Sequence, residues 1–88
     1  MTELKWEVLD LIKKIGVKTN SNEALEKAIE VAEEIGYFKN SSGWHDHEAH
    51  LYKHKSGFEY ILHIYHADWT GKCDGEEYDE YYIITIKE

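Results

Sequence analysis

The sequence predicts an α+β fold in which two N-terminal helices pack on a three-stranded antiparallel β-meander, in the order ααβββ. Apolar residues recur at helical spacing through residues 2–35. Beyond residue 46 the chain is rich in β-branched and aromatic residues, and the stretch FEYILHIYH at 58–66 alternates between two faces as a strand does. With 88 residues, the chain is predicted to form a single domain, 1–88, with one modest core.

The first helix is predicted over residues 2–15, with Thr2 at its N-cap and Gly16 at its end. Trp6 and Leu9 lie off its main apolar stripe, where they either widen the buried face or remain exposed for contact. The stripe follows the 3.6-residue period and consists of Leu4, Val8, Leu11, Ile12 and Ile15.

The second helix is predicted from about residue 22 to residue 35, after a polar connection over residues 17–22. Asn20 fits a capping box, and Ser21 and Asn22 are alternative caps. Gly36 is expected to end this helix, and a turn is predicted over residues 40–43. Both helices are interpreted as structural.

Strands are predicted over residues 46–54, 58–66 and 78–87, the first two joined by a hairpin at 55–57. With Ser56 and Gly57 as a two-residue loop, Leu51 faces Leu62, which gives one clean apolar face. The same register places Ala49 opposite Ile64 and Lys53 opposite Tyr60.

The other face of the sheet is predicted to be open, because both helices are placed on one side. Such a face would serve either as a surface for a partner or as a homodimer interface, so monomer and homodimer both remain open. Its side chains would be Tyr52, Ile61, Tyr65, Tyr81 and Ile83, together with histidines.

All six histidines lie between residues 45 and 66, which raises the question of a metal site. The predicted register places His50 opposite His63, with Glu48 as a third potential ligand. The remaining spacing matches neither an HExxH motif nor a zinc finger, and no cofactor is predicted. A histidine-based metal-binding or general protein-interaction module is therefore one function that the sequence allows. Structural histidines and a pH response are the other interpretations of the same residues, since imidazole charges at mildly acidic pH.

No catalytic motif is present, and the chain is predicted not to be an enzyme. Cys73 is the one cysteine, and the acids around it would raise its pKa and weaken it as a nucleophile. A single cysteine also excludes an internal disulfide and fits a reducing compartment.

The charge balance argues against direct binding of nucleic acid. The chain has 18 acids against 10 lysines and no arginine, for a net charge of −8. A surface of this kind repels phosphates and attracts basic partners. No apolar run is long enough to span a bilayer and the N-terminus lacks a secretory signal, so a cytoplasmic location is expected.

The densest concentration of charge runs from Asp68 to Glu80, where six acids accompany a single lysine. Acids interleaved with tryptophan and tyrosine are typical of a recognition surface, because aromatic rings anchor a contact that charge steers. The predicted partner-binding residues are Asp68, Trp69, Asp74, Glu76, Glu77, Tyr78, Asp79, Glu80 and Tyr81.

An arginine-free, acidic single domain with the patch EEYDEYY and no catalytic motif resembles two groups of inhibitors. One group is the phage anti-CRISPR and anti-defence proteins, and the other is the immunity proteins that neutralise nuclease toxins. The resemblance is in the profile of the whole chain and assigns no individual residue. It implies a stoichiometric inhibitor of a basic protein, such as a nuclease or CRISPR effector, that acts by nucleic-acid mimicry or by blocking a movement.

Overall fold

The computed structural model describes residues 2–42, 45–57, 59–69 and 75–85, which form two helices and one six-stranded mixed sheet. The sheet order is β1-β3-β4-β5-β6-β2. The elements are β1 (Thr2–Glu3), α1 (Trp6–Ile15), β2 (Val17–Thr19), α2 (Glu23–Val31), β3 (Glu33–Ser42), β4 (His45–Lys53), β5 (Glu59–Trp69) and β6 (Gly75–Thr85). The predicted α+β class is confirmed, whereas the prediction of a three-stranded meander carrying two N-terminal helices is wrong.

The central meander of β4, β5 and β6 has the predicted pairing. Leu51 lies opposite Leu62 and Ala49 opposite Ile64, which confirms the register inferred from the turn at Ser56 and Gly57. Gly57 has a φ of 80°, the left-handed conformation that a glycine adopts without strain. The hairpin turn therefore fixes which side chains of β4 and β5 share a face.

Strand β3 replaces the predicted end of the second helix and the start of the predicted turn. Helix α2 ends at Val31, and residues 33–42 pair with β4 along its whole length. The apolar pattern of the helix continues as far as Ile35, but Ile35 lies at a register shift between Glu34 and Gly36. Pairing with β4 satisfies the backbone of this segment, so tertiary structure overrides the local helical pattern.

Two very short strands complete the sheet at its edges. Thr2 pairs in β1 with Gly36 and is not the cap of α1, which begins at Trp6 after Lys5. Gly36 permits this arrangement, because a Cβ atom there would lie 2.8 Å from the Leu4 Cδ2 atom. At the other edge, β2 pairs with β6, in a segment that was predicted to be a connection.

Helix α1 packs on one face of the sheet, defined here as the helix-1 face. Its buried residues are Leu9 and Ile12, and Trp6 lies 5.6 Å from Phe38 between ring centroids. The predicted stripe is therefore rotated, because Val8, Leu11 and Ile15 are exposed. The core beneath α1 consists of Leu9, Ile12, Ala49, Leu62, Ile64 and Tyr82.

Helix α2 lies on the opposite face, the helix-2 face, which was predicted to be open. The Asn22 side chain caps it by accepting a hydrogen bond from the Leu25 backbone N–H at 2.8 Å. Leu25 and Ala28 line a common crevice with Ile61 and Ile83 of the sheet. Because Ile61 alternates with the core residue next to it along β5, the two helices sandwich the sheet.

Candidate functional site

The acidic segment lies where the end of β5 pairs with the start of β6. We call these paired residues, 65–69 and 75–80, the acidic ribbon. The register places Asp68 opposite Glu76, His66 opposite Tyr78 and Ile64 opposite Glu80. Of the predicted partner-binding residues, Asp74 lies outside the described residues, and Trp69 pairs with Gly75 through its backbone. The described carboxylates of the ribbon are Asp68, Glu76, Glu77, Asp79 and Glu80.

Strand alternation divides these carboxylates between the two faces of the sheet. Asp68, Glu76 and Glu80 lie on the helix-1 face with Tyr78. The helix-2 face carries Glu77, Asp79 and Tyr81. The sequence located the charge correctly in one segment, and the structure shows a ribbon charged on both sides.

Exposure separates the carboxylates that can meet a partner from one that cannot. Residues 75–79 are exposed, and Tyr78 retains 43% of its accessible surface. The Glu80 side chain is only 18% exposed and accepts a hydrogen bond from the Tyr82 hydroxyl at 2.8 Å. Burial, together with this bond to Glu80, raises the pKa of Tyr82 to about 12. Glu80 is therefore mostly buried and lies at the end of the ribbon that adjoins the core residue Tyr82.

His66 lies beside Glu80, is 8% exposed and is surrounded by rings and charges. Its ring stacks on Tyr78 at 4.4 Å between centroids and meets His47 edge-on at 4.8 Å. Among the described residues neither of its ring nitrogens has a hydrogen-bond partner, although Nε2 lies 3.6 Å from Glu80 Oε1. Burial lowers the pKa of His66, and the negative charge of Glu80 opposes that shift.

The sequence analysis does not identify this cluster, although it predicts the correct register between β4 and β5. The pairing of Leu51 with Leu62 also sets His47 opposite His66. His47 Nε2 in turn lies 4.0 Å from Asp68 Oδ1, and Asp68 directly faces Glu76 across the β5–β6 pair. The signal was available in the alternation of β5, where His66 shares a face with Leu62.

Acidification below about pH 6.5 is expected to destabilise the protein through His66. The unfolded chain protonates at the ordinary pKa of 6.5, whereas folded His66 takes up its proton only at a lower pH. The unfolded state thus binds more protons below pH 6.5, and stability falls with pH by at most about 1.4 kcal/mol per pH unit. Glu80 and Asp68 favour the proton on His66, while His47 and Lys13 oppose it.

The measurement is urea unfolding at several pH values for the wild type and for His66→Phe. Phenylalanine keeps a ring against Tyr78 and does not titrate, so the difference between the two proteins isolates His66. Stability of the wild type should fall relative to the variant as pH drops below 6.5. Parallel pH profiles would show that His66 makes no such contribution.

On the helix-2 face, the predicted metal candidates are close but already engaged. His50 lies opposite His63 as predicted, yet it pairs with Glu34, and Glu48 pairs with Lys39 at 3.7 Å. Within the described ranges, no group of three or more histidine, cysteine, aspartate or glutamate side chains could hold a metal ion. On the sheet surface, His50 contacts the Glu34 carboxylate, His63 contacts the Asp79 carboxylate, and Glu48 contacts the Lys39 ammonium group.

On the helix-2 face, side chains of β5 contact the acids of β6 and stabilise the ribbon. His63 Nε2 lies 2.8 Å from Asp79 Oδ1, and its ring stacks on Tyr81 at 4.6 Å between centroids. The Tyr65 hydroxyl donates to Glu77, which raises the pKa of Tyr65. These contacts hold Glu77 and Asp79 on a defined surface.

Comparisons with protein-family models, with curated proteins and with solved structures find no match for this chain. Neither of the helices in the described residues has the length and apolar character needed to cross a membrane.

Proposed function

We propose that the protein is a stoichiometric inhibitor that binds a basic, nucleic-acid-handling protein through the acidic ribbon. The observation that carries the proposal is that Glu76, Glu77 and Asp79 are exposed and lie on both faces of the ribbon, all three on β6. A narrow ribbon charged on both sides fits a groove better than it fits a flat surface. Grooves lined by positive charge are the usual binding sites of nucleic-acid backbones.

The tyrosines of the ribbon support the same kind of target. Tyr78 is exposed on the helix-1 face, and Tyr81 is partly exposed on the helix-2 face. Grooves for single-stranded nucleic acid combine basic residues with aromatic side chains on which bases stack. Tyrosine rings beside carboxylates present a comparable pairing of π-surface and negative charge, and aromatic anchors supply much of the energy of an interface.

The charge of the whole chain supports rapid association with such a target. A net charge of −8 without any arginine attracts a basic protein over long distances and repels nucleic acid. Occupation of the nucleic-acid groove is the mode of inhibition that the ribbon's shape favours. The cytoplasm, where nucleases and CRISPR effectors meet their substrates, is the location in which we propose that it acts.

Reversing the exposed ribbon charges is expected to weaken binding by about a hundredfold, at roughly 1 kcal/mol per reversed carboxylate. The ribbon variant is Glu76→Lys, Glu77→Lys and Asp79→Lys, with the internal Glu80 left intact. Tagged wild type and variant are used to capture proteins from bacterial lysate with a salt series. Each captured protein is then titrated with inhibitor against a labelled oligonucleotide.

The matched control carries the same change in net charge on the helices: Glu7→Lys, Asp10→Lys and Glu30→Lys, all exposed acids. We expect wild type and control to retain a basic protein that salt releases and to displace its oligonucleotide, while the ribbon variant does neither. Equal capture by all three proteins, or capture without displacement, would contradict the proposal.

A further inference from the structure

The outer edge of β6 is only partly covered. Strand β2 pairs with Tyr81, Tyr82 and Ile83, and no strand in the described part of the chain pairs with residues 75–80 on the side away from β5. In an antiparallel pair alternate residues point their N–H and C=O groups away from the partner strand. Residues 75–80 are therefore a template for one more strand.

The course of β2 shows how such a strand would continue the sheet. Thr19, the last residue of β2, pairs with Tyr81, and the chain leaves the sheet at Asn20. The next position along the edge is Glu80. A strand in line with β2 would run antiparallel to β6 from Glu80 towards Gly75. It would pair with β6 in the same antiparallel way as β2 does at the neighbouring residues.

We infer that this edge binds an extended, lysine- or arginine-rich segment of the partner by β-strand addition. Backbone hydrogen bonds would provide affinity, and the side chains flanking the edge would provide selectivity. The inference rests on the proposed function, because it describes how the same basic partner is held. It adds a required conformation, an extended strand, to the required charge.

The register along the edge specifies the side chains that such a segment carries. Residues opposite Asp79, Glu77 and Glu76 would be basic, since opposite charges on directly facing strand positions attract. The residue opposite Tyr78 would be β-branched or aromatic, because it packs beside an exposed ring. Successive side chains of the segment thus pair on alternate faces of the ribbon.

Charge also argues against a second copy of this chain as the occupant. Two β6 edges paired with each other would set Glu76, Glu77 and Asp79 against the same acids of the other copy. Like charges on facing strand positions are destabilising. The edge is thus protected against self-pairing while remaining complementary to a basic segment.

The test uses a blocked peptide, Thr-Lys-Val-Lys-Lys-Thr, titrated into the full isotope-labelled chain and followed by amide NMR. Two control peptides have the same side chains, each with N-methyl groups on one of the two alternating sets of residues. Only one set points its N–H groups at β6 in a strand. We expect amide shifts in residues 75–80, about tenfold or more weaker binding for one N-methylated peptide, and little change for the other.

Equal binding of all three peptides would overturn the inference and leave a purely electrostatic contact, which the proposed function still accommodates. Absence of peptide binding would overturn the inference too, while charge-dependent capture by the ribbon would be judged separately from the lysate experiment. Shifts at residues 75–80 that depend on protein concentration without peptide would indicate a second copy at the edge, against the inference.

Discussion

Replacing Leu62 with alanine is expected to lower the free energy of unfolding by about 2–5 kcal/mol. Leu62 is 0% exposed and is the largest fully buried side chain among the described residues. Its removal leaves a cavity between α1 and the sheet in addition to the loss of apolar burial. A chain of this length has a total stability of about 4–13 kcal/mol, so the variant is expected to be partly unfolded at moderate urea concentrations.

Urea unfolding monitored by circular dichroism measures this change, and Leu11→Ala is the matched control. Leu11 loses the same atoms, but it is 57% exposed on α1. We expect a change within about 0.5 kcal/mol for the control, as for other surface substitutions. Similar losses for the two variants would contradict the packing of α1 described above.

Replacing Ile61 with alanine is expected to cost about 2–5 kcal/mol as well, although Ile61 points away from α1. Ile61 is 2% exposed, because Leu25 and Ala28 of α2 close the other face of the sheet around it. An isoleucine on an open face would lose far less. This variant therefore distinguishes helices on both faces from helices on one face.

The graded control for this second substitution is Ile61→Val, which removes one methyl group and keeps the β-branch. We expect it to cost about 0.5–1.5 kcal/mol, measured by the same urea titration. A result near zero for Ile61→Ala would mean that α2 does not cover this part of the sheet, and would restore the open face predicted from the sequence.

The sequence predicted the centre of the sheet because the evidence for it is local. A glycine-containing turn between two alternating stretches fixes both the hairpin and the pairing of Leu51 with Leu62. The apolar residues on the other side of β5 and β6, Ile61 and Ile83, also indicated a second covered face. A prediction that places both helices on the first face instead leaves these residues to a partner or a dimer.

The remaining strands could not be predicted by the same reasoning. Strands β1 and β2 contain two and three residues, which is too short to show a period of two. At Glu33 to Ile35 the helical pattern and the pairing with β4 compete, and only the tertiary structure decides between them. The composition of the acidic segment indicated its position, whereas the inward orientation of Glu80 depends on Tyr82 and His66.

The two short edge strands have a consequence for the order of folding. Strand β1 lies at one edge of the sheet and β2 at the other, and α1 joins them across its face. Val17 pairs with Ile83, a residue far along the chain, so this part of the protein is synthesised long before its neighbour exists. Contacts of such sequence separation form slowly. Strand β2 is therefore expected to reach its place late in folding, after β6 has paired with β5.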